Sequence, residues 1–376
     1  MSSKKVRSFA KLLVLISGVS LLFQAVPPVQ ADYHFSDYNG RPPIHPFGAV
    51  TTQPSGLTPS QVKSVYNLPS KGGKGTIAII GAYDNKTIAG DLKVFSQKFA
   101  LPDCTTANGC LTVHLMGTAK TDPDWAMETA MDVEWAHAIA PQAKILLVEA
   151  KTPSGTNLLA AIDYARKQAD VVAVSMSWGG LEFLDETSLD SHFTSSNNKI
   201  TFFASSGDDG TGVNWPAASP NVVAVGGTSL FFDSKGKFQS EKAWSGSGGG
   251  ISAYEKAAPA QAAYTGIRTK GYRAIPDVSY NADPRSGFSV YYTAGRLKGW
   301  YVIGGTSAGA PQWAAIKSLG LSAANDKFYS DKATANYSQY FRDIISGMNG
   351  DCGYLCQARR RYDYVTGLGS PVTVKF

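Results

Sequence analysis

Short apolar segments that alternate with helical ones constrain the fold of this 376-residue chain more than any other feature. The sequence predicts buried strands at 76–80, 143–149, 171–175, 200–204 and 222–225, with helices between some of them at 91–99 and 157–168. Unbroken apolar strands that are joined by helices are typical of a parallel sheet covered on both faces. We therefore expect an α/β fold, with a doubly wound, mainly parallel central sheet and helices on both faces.

Polar, glycine-rich turns follow several of these strands. They occupy residues 177–180, 205–210 and 304–307, each directly after an apolar run. Functional groups in parallel sheets gather at the carboxyl ends of the strands. Side chains from these three turns are therefore expected to meet at one edge of the sheet.

The first 31 residues are predicted to be a secretory signal peptide. A basic segment precedes an apolar run at 12–23, and small residues lead to Ala31. The run is too short to span a bilayer comfortably, and no later stretch qualifies. We expect cleavage after Ala31, export to the extracellular space, an extended arm or short leader at 32–55 and one folded domain at 56–376.

The positive charge of the chain lies mostly in this first segment. The formal net charge is +6, from 35 Lys and Arg against 29 Asp and Glu. Residues 1–31 hold four basic and no acidic side chains, so their removal leaves 31 against 29, or +2. A nearly neutral exported chain gives no reason to expect nucleic acid or an anionic membrane as a partner.

The four cysteines form two local pairs, Cys104 with Cys110 and Cys352 with Cys356. In an exported chain such close pairs favour two small disulfide loops. A metal site is the alternative, but no histidine is near either pair in the sequence, and the pairs are far apart.

Ser307 lies in the sequence Gly-Gly-Thr-Ser-Ala-Gly-Ala-Pro, between an apolar run and a segment, 312–319, that is predicted to be helical. The glycines permit a tight backbone turn, and the helix N-terminus provides free N–H groups. A nucleophilic serine needs this setting because negative charge develops beside it during acyl transfer. The alternative is an ordinary capped helix after a glycine turn.

Glu128 and Asp132 lie four residues apart on a predicted helix that is apolar almost all round, with Asp124 as its expected cap. Two carboxyl groups on one face of a buried helix repel each other, and burial raises at least one pKa. A solvated acidic stripe is the alternative. Asp208, in Gly-Asp-Asp-Gly, is by itself either a turn residue or a functional carboxyl group.

A histidine base for Ser307 is not evident. The chain has five histidines, and none is in a His-Gly-Thr context. His137 comes late in the helix of Glu128 and is best interpreted as a packed residue. A conventional Ser-His-Asp hydrolase that uses His137 nevertheless remains a hypothesis.

Together these motifs resemble the sedolisins, or serine-carboxyl peptidases, which are subtilisin-like proteins with carboxyl groups in place of the histidine base. The similarity covers about 57–376 and keeps the order Glu, Asp, Asp, Ser. The matching segments are Glu128-x-x-x-Asp132, Ser205-Ser206-Gly207-Asp208, Gly305-Thr306-Ser307-Ala308-x-x-Pro311, Ser175-Met176-Ser177-Trp178-Gly179, Trp244-Ser245-Gly246-Ser247-Gly248-Gly249-Gly250 and Pro276-Asp277-Val278-Ser279.

The resemblance implies a subtilisin-like fold and an endopeptidase that acts at acidic pH on protein or peptide substrates. Ser307 is then the nucleophile, Glu128 the general base, Asp132 its orienting partner and Asp208 a donor in the oxyanion hole. We expect a monomer. A secreted binding protein that keeps the fold without activity is the alternative from another functional class.

The same resemblance implies one Ca²⁺ ion in a C-terminal loop. Its ligands are expected to be carboxylate oxygens and backbone carbonyl oxygens, which are the donors that Ca²⁺ prefers. The implied carboxylates are Asp343 and Asp363, and the implied carbonyls are those of Ile344, Arg359 and Arg361.

Overall fold

The computed structural model describes residues 33–195, 199–320, 328–329 and 336–374. The predicted signal peptide, 1–31, lies outside the described residues. No helix among the described residues has both the length and the apolar character needed to cross a membrane.

The strands of the described residues are β1 His45–Thr51, β2 Thr76–Ala82, β3 Leu111–Leu115, β4 Lys144–Ala150, β5 Val171–Met176, β6 Gly180–Leu181, β7 Thr201–Ser205, β8 Asn214–Trp215, β9 Val222–Phe232, β10 Phe238–Ala243, β11 Gly250–Lys256, β12 Tyr272–Ile275, β13 Val278–Asn281, β14 Phe288–Tyr292, β15 Gly299–Gly304, β16 Phe341–Arg342 and β17 Ser370–Pro371.

The α-helices are α1 Pro59–Val65, α2 Ile88–Lys98, α3 Pro123–Ile139, α4 Gly155–Ala165, α5 Pro259–Ala263, α6 Gly309–Ser318 and α7 Tyr337–Tyr340. Each strand and helix expected from the sequence is present, with bounds that differ by a few residues. The main exception is β9, which continues to Phe232 although its predicted strand ends at 225.

The central sheet has the order β10-β9-β7-β5-β2-β4-β3, and β13 also pairs with β9. Its pairs are parallel except for β10 with β9. This confirms the expected parallel α/β architecture. The carboxyl ends of β5 and β7 therefore lie side by side, and the turns that follow them start from the same edge of the sheet.

Successive residues of the central strands face two different cores, as the pleat of a strand requires. Ile77 and Ile79 of β2 belong to the core that includes α2, α3 and α6, whereas Ala78 and Ile80 belong to the core that includes α4. Because both faces are covered by helices, these strands have no polar alternation, and their sequences are apolar throughout.

The arm predicted at 32–55 contains more regular structure than its sequence indicates. Its described part holds a 3₁₀ turn at Phe35–Asp37 and the strand β1, which pairs antiparallel with β15. With β14 these strands form a separate three-stranded sheet in the order β1-β15-β14. The sequence did not predict this strand, because proline is depleted in strands and cannot donate to a ladder. The prolines concerned are Pro42, Pro43 and Pro46.

Both cysteine pairs form disulfides, as predicted. Cys104 is bonded to Cys110, with Cα atoms 4.9 Å apart, and Cys352 to Cys356, with Cα atoms 5.2 Å apart. Each bond closes a short surface loop.

Candidate active site

Helix α3 carries the two carboxyl groups of the predicted pair. Pro123 begins the helix, and the N-cap is Asp122, whose side chain accepts hydrogen bonds from the N–H groups of Asp124 and Trp125. The expectation that Asp124 caps the helix is therefore wrong. The helix is buried on nearly every side from Trp125 onward, as its almost continuous apolar sequence predicts.

Glu128 and Asp132 are each 2% exposed and share one face of this helix. A solvated acidic stripe is thereby excluded. Asp132 Oδ1 accepts a hydrogen bond from the Ser177 hydroxyl, 2.7 Å away, just beyond the end of β5. The Glu128 carboxyl lies beside both Asp132 and the hydroxyl of Ser307.

Ser307 lies at the predicted junction of strand and helix. β15 ends at Gly304, a 3₁₀ turn covers Thr306–Ala308, and α6 begins at Gly309. Gly305 has φ +130°, a conformation that favours glycine. A Cβ atom on Gly305 would also be 2.7 Å from Asp208 Oδ2, so the glycine is required by both backbone and space.

Asp208 approaches the same junction from the turn after β7. Its Oδ1 atom accepts hydrogen bonds from the N–H of Thr306, at 2.8 Å, and from the Thr306 hydroxyl, at 2.6 Å. Its side chain is only 4% exposed. The tertiary structure thus brings together Glu128, Asp132, Asp208 and Ser307, which the sequence separates by up to 179 positions.

Burial dominates the electrostatics of this site. It raises the pKa of Glu128 well above its ordinary value, and the neighbouring Asp132 charge adds to the effect. Burial likewise raises the pKa of Asp132, against the opposing effects of the Ser177 hydrogen bond and of the neighbouring Glu128. Because the two groups are in contact, the pair retains at least one proton at neutral pH.

Burial also raises the pKa of Asp208, although His45 and Thr306 oppose the shift. No Lys or Arg forms an ion pair with Glu128, Asp132 or Asp208 among the described residues. The three carboxyl groups can therefore both give and accept protons.

His137 does not join this group. It is fully buried near the end of α3, and its Nε2 atom lies 2.8 Å from the carbonyl oxygen of Pro102. Burial lowers its pKa, which favours the neutral ring. The interpretation of His137 as a packed residue is consistent with this environment.

The family model described as the subtilase family matches residues 116–341. This segment is more than half of the chain and includes Glu128, Asp132, Asp208 and Ser307. Among curated proteins, the chain is 29% identical over 368 residues to sedolisin from Pseudomonas sp. (strain 101), covering 84% of this chain and 60% of that protein.

It is also 31% identical over 380 residues to kumamolisin from Bacillus sp. (strain MN-32), covering 86% of this chain and 63% of that protein. A solved structure of Pseudomonas sedolisin, a serine-carboxyl proteinase bound to two molecules of pseudo-iodotyrostatin, superposes with a TM-score of 0.73. That comparison has 26% identity and covers 86% of this chain and 96% of the solved one.

The chain belongs to the sedolisin branch of the subtilase family. It spans about three fifths of the length of the curated relatives that it matches. Its subtilisin-like fold agrees with the expectation from the motifs.

Two residues of the arm lie in the site of this sedolisin-family chain, and neither was predicted to do so. The Ser307 hydroxyl donates a hydrogen bond to the carbonyl oxygen of Pro43 over 2.8 Å. His45 Nε2 lies 3.0 Å from Asp208 Oδ2. Neither residue belongs to a recognisable motif. Their contact with the site depends on the path that the arm takes across the domain, which a local sequence pattern does not specify.

The implied calcium residues lie together in the C-terminal region. Asp343 Oδ1 accepts a hydrogen bond from the N–H of Arg361, and Asp363 Oδ2 accepts one from the N–H of Arg359. Arg361 has φ +68°, the left-handed conformation that favours glycine. The loop thus adopts a glycine-like turn without a glycine.

The donor set of this loop fits a hard cation. Asp363 is 1% exposed and forms no ion pair with a Lys, Arg or His among the described residues. Within that part of the chain, no hydrogen bond reaches the carbonyl oxygens of Ile344 and Arg359. Asp363 is buried and Asp343 half-buried, and both already accept hydrogen bonds from the protein. Two carboxylates with carbonyl oxygens that no hydrogen bond reaches suit the oxygen-rich coordination of Ca²⁺.

Proposed function

We propose that this protein is a secreted serine-carboxyl endopeptidase that hydrolyses peptide bonds in proteins or peptides at acidic pH. The observation that carries the proposal is the meeting of Ser307, Glu128, Asp132 and Asp208, from three separate segments. The histidine in the site, His45, contacts Asp208, and the Ser307 hydroxyl bonds to Pro43. Peptide-bond hydrolysis is also the activity named for the relative described as a serine-carboxyl proteinase.

Ser307 Oγ is proposed to attack the substrate carbonyl carbon while Glu128 accepts the serine proton. In the singly protonated pair, Glu128 can pass its own proton to Asp132 as the serine proton arrives. Glu128 then returns a proton to the leaving amine, and water hydrolyses the acyl-enzyme by the reverse route. Ser177 supports this exchange because its hydroxyl orients the Asp132 carboxyl group.

Asp208 is proposed to stabilise the oxyanion. A protonated carboxyl group can donate a hydrogen bond to the developing charge, whereas a carboxylate would repel it. Burial favours the protonated form by raising the pKa of Asp208. Since this donor is lost as pH rises through that pKa, activity should be greatest under acidic conditions.

The direct test is a pH–activity profile on a denatured protein substrate, with wild type beside Glu128→Gln and Ser307→Ala. Both variants should lose about 10³-fold or more of the turnover, a loss typical when a member of a catalytic triad is removed. His137→Ala should retain acid activity if it still folds, as checked by circular dichroism. Fastest hydrolysis at pH 8 with none at pH 4 would contradict the proposal.

We also propose that one Ca²⁺ ion binds to Asp343 and Asp363 and to the carbonyl oxygens of Ile344, Arg359 and Arg361. When bound, the ion would supply positive charge beside Asp343 and Asp363 and so stabilise this loop, and it would take no part in the chemical step. Secretion is part of the proposal, with the predicted signal sequence as its support, and we also propose a monomeric state.

A further inference from the structure

His137 lies against the disulfide of Cys104 and Cys110. A ring nitrogen of His137 and the two sulfur atoms are all within 4.8 Å of one another. Cys104 is 2% exposed, Cys110 is half-buried and His137 is fully buried. In the sequence, the lack of a nearby histidine favoured a disulfide over a metal site at this pair. The fold supplies that histidine from the last turn of α3.

One nitrogen of His137 is free to act as a ligand. Nε2 lies 2.8 Å from the carbonyl oxygen of Pro102, and a carbonyl oxygen only accepts, so Nε2 carries the proton. In the neutral ring the lone pair is then on Nδ1, which is buried and has no hydrogen-bond partner among the described residues. Histidines that bind metals show this arrangement, because one ring N–H is donated to a carbonyl or carboxyl group while the other nitrogen binds the ion.

A purely structural role for His137 explains this environment less well. A buried nitrogen without a hydrogen-bond partner destabilises the folded state by about 1–3 kcal/mol. An apolar side chain of similar size would fill the position without that loss. The unpartnered Nδ1 atom is therefore a second observation, independent of the distances to the two sulfur atoms, that indicates a ligand at this place.

The loop that carries the cysteines is held by hydrogen bonds as well as by the disulfide. Asn108 Oδ1 accepts hydrogen bonds from the N–H groups of Thr105, at 3.1 Å, and Cys110, at 3.0 Å. The carbonyl oxygen of Cys110 accepts a hydrogen bond of 2.7 Å from the N–H of Ile145 in β4. Reduction of the disulfide therefore leaves both cysteines close to His137, in a loop whose backbone keeps its turn.

The charge balance indicates the kind of ion. A divalent cation with two thiolates and a neutral imidazole has no net charge, and a buried site tolerates such a complex far better than a charged one. Lys63 places a positive charge near His137, so a complex with a net positive charge would be opposed. Sulfur and nitrogen donors suit Zn²⁺, which binds readily to three protein ligands and a water molecule.

We propose that the reduced form of this protein binds a thiophilic divalent cation, such as Zn²⁺, through Cys104 Sγ, Cys110 Sγ and His137 Nδ1, and that the disulfide and the metal ion exclude each other at this place. The oxidised protein lacks the two thiolates and does not bind the ion. The site is independent of the candidate active site, to which none of the three residues belongs.

Formation of the site needs a reductant, and a trialkylphosphine serves for the test. The phosphine takes the oxygen atom of one water molecule and is oxidised to the phosphine oxide. Its two electrons break the S–S bond, and the two protons of that water molecule protonate the sulfur atoms. Binding of Zn²⁺ then releases one proton from each thiol, while Nδ1 contributes its lone pair and releases none.

The test uses the full-length Ser307→Ala protein, reduced by the phosphine at pH 7 and titrated with Co²⁺ as a spectroscopic probe. The reduced protein should bind one Co²⁺ with thiolate-to-cobalt charge-transfer absorption, which Zn²⁺ should displace. The unreduced protein should show no such absorption, and this separates the site from any cation held by oxygen ligands alone.

The double variant Cys104→Ser, Cys110→Ser should abolish this absorption. Its matched control is Cys352→Ser, Cys356→Ser, which should bind Co²⁺ as before, because that pair has no third metal-binding side chain within reach among the described residues. In a second measurement, Zn²⁺ should slow the alkylation of Cys104 and Cys110 in the reduced protein and leave that of the other pair unchanged, as read by peptide mass mapping.

His137→Gln can still donate to the Pro102 carbonyl group, and it should weaken Zn²⁺ binding by about 10-fold or more, since even the loss of an outer hydrogen bond to a metal ligand has that effect. Unchanged affinity in this variant, folded by circular dichroism, overturns the role of His137. Thiolate absorption that persists without Cys104 and Cys110, or that never forms in the reduced protein, overturns the site. Unfolding of the protein on reduction also overturns it, because α3 must be folded to bring His137 to the cysteines.

Discussion

The hydroxyl of Ser177 lies 2.7 Å from Asp132 Oδ1 and 3.1 Å from the carbonyl oxygen of Ser307. One side chain therefore contacts two members of the candidate triad. Ser177 follows β5, whereas Asp132 is on α3 and Ser307 precedes α6. The hydrogen bond favours the ionised form of Asp132 and lowers its pKa against the effect of burial.

Ser177→Ala should therefore raise the pKa of Asp132 and move the acid limb of the pH–activity profile toward higher pH. The lost hydrogen bond to a buried carboxyl group should also lower the free energy of unfolding by about 1–3 kcal/mol. Ser175→Ala is the matched control, since it removes a buried hydroxyl that has no hydrogen-bond partner among the described residues. An unshifted acid limb in Ser177→Ala would exclude this role.

Gly305→Ala should reduce turnover by about 100-fold or more, because a 1 Å displacement near the nucleophile can cost that much. The new Cβ atom would push against Asp208 Oδ2 and force φ +130° on an alanine. Gly320→Ala is the control for backbone strain alone, since Gly320 has φ +122° and open space around it. Steady-state kinetics and thermal unfolding of both variants separate the two effects.

Stability should decrease as pH rises from about 4.5 toward 8. Burial raises the pKa of Glu255 to about 8 and that of Glu186 to about 10, both in a cluster with Glu182 and Asp190. Between the unfolded and folded pKa values the folded chain holds protons that the unfolded chain has lost, so unfolding becomes easier as pH increases.

Glu255→Gln should therefore raise the Tm at pH 8 by about 2 °C or more, a shift that corresponds to roughly 1 kcal/mol in a domain of this size. It should change the Tm little at pH 4, where wild-type Glu255 is already protonated. Asp170→Asn removes the same charge from an exposed carboxylate and should leave the pH dependence as in wild type. Calorimetry across this pH range on the Ser307→Ala background avoids self-digestion.

Removal of Ca²⁺ should lower the Tm, and added Ca²⁺ should restore it. A ligand present at 100 times its Kd stabilises the folded state by about 2.7 kcal/mol. Asp363→Asn should abolish the response, whereas Asp351→Asn, an exposed change in the same region, should preserve it. A wild-type Tm that does not respond to chelator and Ca²⁺ would contradict the proposed site.

The strands predicted for the central sheet and the predicted helices are present to within a few residues, apart from the longer β9, whereas β1 was not predicted. Strands such as Thr76–Ala82 are apolar throughout because helices cover both faces of the sheet, and that composition is visible in the chain itself. The N-cap of α3 was predicted wrongly as Asp124, because Asp122 and Asp124 both flank Pro123 and either residue can cap a helix N-terminus.

The motifs of the site were also visible in advance. The spacing of Glu128 and Asp132 determines that they share a helix face, and the glycines before Ser307 determine a tight turn. Both are short-range constraints, since helical periodicity and the left-handed freedom of glycine act over a few residues.

Only the tertiary structure decided which of these groups meet, and what lies between them. The Pro43 carbonyl group is next to Ser307 although 264 positions separate them in the chain, and His45 pairs with Asp208 across the cleft. A proline-rich stretch has no periodicity that could reveal this path. The sequence by itself determined the helices, the strands of the central sheet and which carboxyl groups share a helix face; the path of the arm depended on the packing of Tyr38 and on pairing with β15, which are long-range contacts.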